Sequence, residues 1–215
     1  KAIGNELLVK QFDFKGNKLN ETFVDTKKTT ILDPKIFLDD ENNAFRIVGL
    51  SSQMNSRSYG YSGLYSAVID GSSLETKSSF NTEFPLDFLK KMIRGKRVDR
   101  LAKKGKTISI PFGFSIDNIF VKENGDVLFT AESYTNSMVQ TTQFSASEMW
   151  TFGDVICARL DVNGELKWIN LVKKTQIASK TRPVIGLGVG GGGVSVGASM
   201  TIGNKLPAEC SNYSY

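Results

Sequence analysis

The stretch from Gly153 to Gln176 decides the fold and reads GDVICARLDVNGELKWINLVKKTQ. Apolar and polar residues alternate on both sides of a short polar turn, as in two strands that each bury one face. In the turn, the Asp161 carboxylate can accept hydrogen bonds from backbone N–H groups. Gly164 can adopt the left-handed conformation that a type I turn with a bulge requires. The stretch therefore predicts a β-hairpin.

Hairpins of two kinds recur along the chain, and self-similarity of this sort indicates a repeat architecture. The first kind carries an Asp before its turn and is found at residues 6–24, 63–80 and 154–172; the second kind is found at 35–52 and 118–133. A Ca²⁺ loop would also use an Asp before a Gly, but each copy offers one Asp and few other oxygen ligands nearby. The copies therefore predict turns between strands and no metal site.

Taken in order, the hairpins form four-stranded antiparallel units at residues 35–80 and 118–172, separated by a basic helical insert at 81–117. Residues 6–24 would be the second half of a preceding unit, and the Gly-rich tail at 173–215 the start of another. Four-stranded repeats of roughly 40–50 residues are typical of β-propeller blades, and closure needs about four to eight of them. We expect an all-β, propeller-type domain over 1–215 that is part of a larger propeller or is completed by another chain.

A resemblance supports this architecture. Leu160, Asp161, Gly164 and Trp168 form the pattern Leu-Asp-x-x-Gly-x-x-x-Trp, which resembles the blade motif of quinoprotein-like bacterial propellers. With Gly125-Asp126 and the Ala-Glu-x-Tyr strand at 131–134, the longer pattern is similar to β-propeller proteins of Bacteroidetes cell envelopes. The resemblance covers residues 35–176. It implies that these four residues pack blades together, Trp168 between neighbours, and that the protein is extracytoplasmic, in the periplasm or at the cell surface.

The sequence departs from that family in two respects. Only one copy has the Trp, and no cluster of acidic and basic residues is present to hold a quinone. The resemblance therefore implies a blade without an oxidoreductase activity, and we expect no cofactor.

The chain contains no histidine, which excludes Ser-His-Asp and Cys-His nucleophile systems and most zinc sites. Carboxylate pairs remain open, since glycosidases need only two carboxyl groups. Glu132 lies in a strand-like run near a blade end, where it would either bind a ligand at the propeller axis, with Asp117 and a Tyr, or hydrogen-bond a neighbouring blade. We predict no catalytic residue and no enzyme; the alternative is a carbohydrate-binding or carbohydrate-active propeller with an axial carboxylate site.

The positive charge of the chain is concentrated in the insert. The net charge is +5, residues 90–106 hold nine basic groups and one acid, and the rest of the chain carries −3, the difference between +5 and +8. The insert is either a solvated surface helix or a contact for an acidic protein, anionic lipid headgroups or another polyanion. Nucleic acid is not expected, because aromatic residues do not interleave with the basic ones. The candidate partner surface comprises Lys90, Lys91, Arg94, Arg97, Tyr59 and Tyr61; a second predicted contact loop covers 134–150.

The Gly-rich tail contains a G-x-G-x-x-G at Gly188, Gly190 and Gly193, but a strand-like run follows it where a phosphate site needs a helix. We expect two short strands that pair with another chain.

Cys157 lies in an apolar strand pattern, and it is either a small buried hydrophobe or the partner of Cys210 in a disulfide. No apolar run is long enough for a membrane helix. A start at Lys1, without Met or a signal-like stretch, indicates a processed form or an excised fragment.

These observations predict a non-catalytic interaction module of the bacterial cell envelope, with a protein partner. By resemblance, that partner would be an outer-membrane or secretion assembly of which this chain is an accessory subunit.

Overall fold

A computed structural model describes residues 2–3, 6–53, 60–142 and 145–183 of the chain. Antiparallel sheets dominate, and the helices among these residues lie in the predicted insert, so the all-β prediction is confirmed. The elements are β1 (Ala2–Ile3), β2 (Glu6–Phe12), β3 (Lys18–Asp25), β4 (Thr29–Asp39), β5 (Ala44–Gln53), β6 (Gly63–Asp70), β7 (Thr76–Glu83), α1 (Leu86–Met92), α2 (Gly95–Lys103), β8 (Phe114–Val121), β9 (Val127–Thr142), β10 (Ser145–Leu160), β11 (Leu166–Val172) and β12 (Gln176–Pro183).

The chain divides into two compact units. The first comprises Lys1–Glu132 and Val155–Val172, and the second comprises Ser133–Asp154 and Lys173–Tyr215. The long strands β9 and β10 each contribute residues to both units.

Three sheets contribute to the first unit: the three strands β1-β2-β3 and two four-stranded meanders. The sheet of the second meander has a fifth strand, β12, and residues 133–154 of its strands β9 and β10 belong to the second unit. The first meander has the order β4-β5-β6-β7 and spans 29–83, where the sequence predicted a unit at 35–80. The second has the order β8-β9-β10-β11 and spans 114–172, where a unit at 118–172 was predicted. Strands that follow one another in the chain are neighbours in each sheet, and short polar turns join β4 to β5, β6 to β7, β8 to β9 and β10 to β11.

The turns have the predicted mechanism. Asp161 accepts hydrogen bonds from the backbone N–H groups of Asn163 and Glu165, both at 2.9 Å, and Gly164 has a φ of +91°. The equivalent Asp13 accepts from Lys15 and Asn17, both at 2.8 Å, ahead of Gly16 at a φ of +85°.

The β4–β7 sheet is buried on both faces, which explains why β5 and β6 contain consecutive apolar residues at 47–50 and 67–69. On one face Ile47 and Tyr65 pack in a core with Leu7 and Val24 from the β1–β3 sheet. On the other face the β4–β7 sheet shares a core with the helices and the β8–β11 sheet, which includes the buried residues Val48, Leu50, Leu64, Phe88, Val98, Phe129, Ile156 and Leu160. Each such side chain contributes about 1.5–3 kcal/mol by leaving water. Three sheets are therefore stacked face to face.

The second unit corrects two predictions. The predicted loop at 134–150 is wrong, because its described residues continue β9 and β10 as paired strands. The described part of the 173–215 tail, β12, pairs antiparallel with β10 from Ser145↔Pro183 to Phe152↔Gln176 and so extends an existing sheet where a new unit was expected. The Gly-rich stretch and Cys210 lie outside the described residues.

Candidate functional site

The basic insert consists of two short helices where the sequence predicted one. Asp87 lies in the first turn of α1 and Lys90 and Lys91 in its last turn, as the helix dipole favours. Extended backbone at Ile93 ends α1, and Gly95 begins α2. Phe88, Leu89 and Val98 are buried and anchor the pair to the core of the first unit.

A groove of about 1080 Å³ lies along this insert; we call it the basic groove. Its charged lining comes from the α1–α2 junction and from α2, and its remaining lining comes from the end of α1 and the segment before β8. The lining residues are Met92, Ile93, Arg94, Lys96, Arg97, Arg100, Ser109 and Pro111.

The charges in the basic groove are not neutralised within the described chain. No carboxylate among the described residues forms an ion pair with the lining side chains Arg94, Lys96, Arg97 or Arg100. Four positively charged side chains therefore line one groove that is open to solvent. Coulomb repulsion among them is relieved when an anionic partner binds.

Two lysines of the candidate partner surface have partners of their own. Lys90 forms an ion pair with Asp99 at 2.8 Å, and its hydrogen bond to that carboxylate raises the pKa of Lys90. Lys91 donates a hydrogen bond to the Oδ1 atom of Asn170 in β11 at 2.7 Å. Of the four basic residues predicted for this surface, Arg94 and Arg97 are thus the ones that line the basic groove.

Tyr61 is not a surface residue, so its predicted role in partner contact is wrong. The side chain is buried, its hydroxyl donates a hydrogen bond to the carbonyl oxygen of Phe114 at 3.0 Å, and its backbone pairs with Ile110. Burial accordingly raises the pKa of Tyr61. Its ring fixes the segment that leads from the insert into β8. Tyr59 lies outside the described residues.

The β10–β11 turn, which carries the predicted packing motif, docks on the β4–β7 sheet. The carbonyl oxygens of Val162, Asn163 and Gly164 accept hydrogen bonds from Arg46, Ser78 and Ser66, respectively. Leu160 is buried in the core beside the turn. The docking residues on the sheet were not found from the sequence, although a lone Arg between Phe45 and Ile47 in an apolar run was a signal for a buried ion pair.

Trp168 lies in β11 opposite Arg159 and is 42% exposed. Ile169 and Leu171, on the other face of the same strand, pack against the core, so the indole points away from it. No described sheet of the first unit covers Trp168, and its packing between blades stays a prediction.

Glu132 and Asp117, two of the three residues named in the axial hypothesis, lie close together. Glu132 is buried, and its backbone N–H donates a hydrogen bond to the Asp117 carboxylate. Burial, reinforced by the charge of Glu132, raises the pKa of Asp117. The neighbouring Asp33 accepts hydrogen bonds from Ser115 and Lys35, both at 2.9 Å.

No group of three or more His, Cys, Asp or Glu side chains among the described residues is placed to hold a metal ion. Cys157 is a half-buried free thiol whose pKa is raised by burial. The helices described, of seven and nine residues, are too short to cross a membrane.

Comparison with known proteins returned no match: no protein-family model, no curated protein and no solved structure resembles this chain closely enough to be matched to it.

Proposed function

We propose that this protein is a non-catalytic interaction module of β-propeller type, and that its basic groove binds an acidic segment of a partner protein. The observation that carries the proposal is the basic groove itself, in which Arg94, Lys96, Arg97 and Arg100 surround a concave surface without a paired carboxylate among the described residues.

Two consecutive four-stranded meanders support the blade interpretation. They are stacked face to face, share a core, and are joined by the turn that docks on the β4–β7 sheet. Blades of a propeller are related in this way, with each sheet packed against the next. A rigid stack of sheets also holds the helical insert in a fixed orientation, which lowers the entropy lost on binding.

The shape and lining of the basic groove favour a protein segment as its occupant. Three of its four charges are arginines, whose planar guanidinium groups bind carboxylates through two parallel hydrogen bonds. Met92 and Ile93 are half-buried and provide apolar surface beside the charges. A concave site of this composition suits a chain with both acidic and apolar side chains better than it suits a flat membrane surface.

The blade motif indicates where the protein is located and what kind of assembly it joins. Its resemblance to cell-envelope propellers supports an accessory subunit of an outer-membrane or secretion assembly, located outside the cytoplasm.

A defined peptide tests the proposal. We expect a fluorescein-labelled peptide, ELEELEELE, to bind with an affinity that falls steeply with salt. Replacing Arg94, Arg97 and Arg100 together with Gln should weaken binding by about tenfold or more, since each charge-assisted hydrogen bond contributes roughly 1.5–3 kcal/mol. Fluorescence anisotropy measures both effects.

The matched control replaces Lys15, Lys28 and Lys122 with Gln, which removes the same charge from exposed sites outside the insert. Equal losses in the two triple variants would show that net charge alone attracts the peptide. Tighter binding to phosphatidylglycerol vesicles or to duplex DNA than to the peptide would also contradict the proposal.

One observation favours the alternative, a carbohydrate-active site. Asp117 and Glu132 are neighbouring carboxylates with a raised pKa on Asp117, an arrangement that acid–base catalysis uses. Its test is the release of reducing ends from soluble β-glucan, α-mannan and peptidoglycan fragments by the wild type and by Asp117→Asn. Equal rates in both proteins would remove this alternative.

A further inference from the structure

The positive charge of the basic groove is concentrated in three side chains of α2. Arg97 and Arg100 are three residues apart and Lys96 and Arg100 are four apart, so the members of each pair are neighbours on the helix surface. Lys96 and Arg97 are adjacent in sequence, and all three line the basic groove. We call Lys96, Arg97 and Arg100 the cationic triangle; Arg94 adds a fourth charge where α2 begins.

The cationic triangle works against the stability of its own helix. Like charges three or four residues apart repel one another on a helix surface. Lys96 and Arg97 also lie in the first turn of α2, which contains no acidic residue although the helix dipole favours acids there. In α1, by contrast, Asp87 occupies the first turn. Residues that oppose the stability of their own element in this way are expected at functional sites.

The chain has few acids that could neutralise the cationic triangle. Asp99, the one acid among residues 90–106, forms an ion pair with Lys90 at 2.8 Å. No ion pair within the described ranges includes a member of the triangle. Outside those ranges, Glu209 is the single acidic side chain of the sequence. A bound anion would supply the missing counter-charge.

The arrangement of the three cations favours one compact anion with several oxygens. A carboxylate carries one charge, and side chains that point the same way from an extended segment are about 7 Å apart, so an acidic segment brings its charges to the triangle one at a time. A phosphate monoester carries about −1.5 to −2 charge at pH 7 and three strong acceptor oxygens on one phosphorus atom. It can therefore accept hydrogen bonds from all three side chains at once, including paired bonds from a guanidinium group.

We infer that the cationic triangle binds a phosphate monoester, which the acidic segment of the partner protein carries as a phosphorylated Ser or Thr. The inference rests on the proposed function, because the basic groove that holds the segment also contains the triangle. Met92 and Ile93 line the same groove and are half-buried, so they provide apolar surface for the rest of the segment. Free phosphate would leave that surface unused.

Three fluorescein-labelled peptides test the inference. ELEELEELE and EELEELEELE carry carboxylates alone, and the third peptide replaces the sixth residue of ELEELEELE with phosphoserine. EELEELEELE nearly matches the net charge of this phosphopeptide. In fluorescence anisotropy at equal salt, we expect the phosphopeptide to bind about tenfold or more tightly than EELEELEELE, because its charge-assisted hydrogen bonds converge on one group.

The pH dependence of binding is a second readout. The second pKa of a phosphate monoester is about 6, whereas free Glu side chains titrate near about 4.3. The chain has no histidine, and the Lys and Arg side chains of the groove stay charged near neutral pH. Between about pH 7.5 and pH 5.5 the affinity for the phosphopeptide should therefore fall severalfold, and the affinity for EELEELEELE should stay within about twofold.

A substitution in the cationic triangle and a matched substitution on the same helix locate the site. Arg100→Gln should reduce the preference for the phosphopeptide to about threefold or less, because Arg100 neighbours both other members of the triangle. Lys103 is the matched control, since it also lies in the last turn of α2 and is exposed but does not line the basic groove. In Lys103→Gln the preference should stay within about twofold of the wild type, and equal melting temperatures check that both variants fold.

Each contrary outcome has its own meaning. Equal binding of the phosphopeptide and EELEELEELE would overturn this inference and leave the proposed function standing, whereas binding of none of the three peptides would overturn both. Equal loss of preference in Arg100→Gln and Lys103→Gln would show that the cationic triangle is not the site. Displacement of the phosphopeptide by an equimolar amount of inorganic phosphate would assign the triangle to free phosphate and overturn the choice of a phosphorylated segment.

Discussion

The guanidinium of Arg46 and the carboxylate of Asp39 form an ion pair at 2.6 Å in which neither side chain is more than 3% exposed. The Nη1 atom of Arg46 also donates a hydrogen bond to the carbonyl oxygen of Val162 at 2.9 Å. One buried cation thus joins the ends of β4 and β5 to the turn that packs on their sheet.

Arg46→Met should lower the free energy of unfolding by about 3–5 kcal/mol, because it leaves Asp39 buried without its cation. Urea denaturation measures the loss. Lys90→Met is the control: the side chains of Lys90 and its partner Asp99 are 41% and 54% exposed, so its loss should be clearly smaller. Equal losses of unfolding free energy in the two variants would show that burial of the Arg46–Asp39 pair adds nothing to stability.

The same ion pair predicts how stability depends on pH. Burial opposes ionisation of Asp39, but hydrogen bonds from Asn42 and Arg46 and the charge of Arg46 hold its pKa below the ordinary value of 3.8. A carboxylate with a lowered pKa stabilises the folded state above its unfolded pKa and loses that contribution as the pH falls through the folded value. In the wild type this contribution should be full above pH 3.8 and be lost as the pH falls through the lowered folded pKa of Asp39. In Arg46→Met, burial without the cation raises the pKa of Asp39, so the difference in stability between the two proteins should be largest at neutral pH, begin to shrink above pH 3.8 and continue to shrink below it. A constant difference down to the acid transition would contradict this assignment.

Substitutions at two equivalent turn glycines distinguish the cost of backbone strain within a turn from the cost of weakening the turn's contact with the β4–β7 sheet. Gly16 and Gly164 both have positive φ, so Ala strains each backbone by roughly 1 kcal/mol. A Cβ at Gly16 would meet nothing within 4 Å, whereas one at Gly164 would lie 3.1 Å from the Ser66 Oγ that donates a hydrogen bond to the same residue. Gly164→Ala should therefore lower the free energy of unfolding by about 1 kcal/mol more than Gly16→Ala does. Equal losses in thermal or urea unfolding would mean that the turn does not depend on its contact with β6.

Asp99 limits the charge of the insert by pairing with Lys90. Asp99→Asn removes the one acid among residues 90–106, so it should raise the affinity for the peptide ELEELEELE at low salt by about two- to threefold and have little effect at high salt. The exposed pair should matter little for folding, and the melting temperature should stay nearly constant. Glu123→Gln, which removes an exposed acid outside the insert, is the control. An equal gain in affinity in both variants would show that the affinity depends on the net charge of the protein and not on the basic groove.

The fold could be predicted where the sequence carries its own local signals. The Asp-to-Gly turns at Asp13 and Asp161 and the alternating apolar pattern predicted hairpins, and their order along the chain predicted four-stranded meanders. The composition of residues 134–150 is typical of a loop, because Ser, Thr and Gln mask the alternation of apolar residues. Strand pairing there depends on partners in β12, more than 20 residues away, and local composition does not contain that information.

The basic residues of the candidate site could be predicted from the sequence, but their arrangement around a groove could not. A cluster of basic residues is visible in any sequence, whereas the break at Ile93 that turns one predicted helix into two and opens the basic groove is a tertiary feature. The sequence predicts an exposed position for Tyr61, because an aromatic residue between Gly60 and Ser62 is typical of a loop. Its burial results from contacts with Ile110 and Phe114, about 50 residues later in the chain.

Trp168 provides a test of whether another sheet packs on the β8–β11 sheet. In the structure the indole is 42% exposed, so Trp168→Ala should cost much less than the roughly 3–5 kcal/mol of a fully buried Trp. In a Trp150→Phe background, Trp168 is the single tryptophan, and acrylamide should quench its fluorescence readily. If the protein is part of a larger propeller, a longer form or a complex that supplies the next sheet should shield the indole, as the blade motif implies, and quenching should fall severalfold. Quenching that is already weak in the isolated chain would mean that the ring is covered without a further sheet, and the packing role inferred from the motif would have to be abandoned.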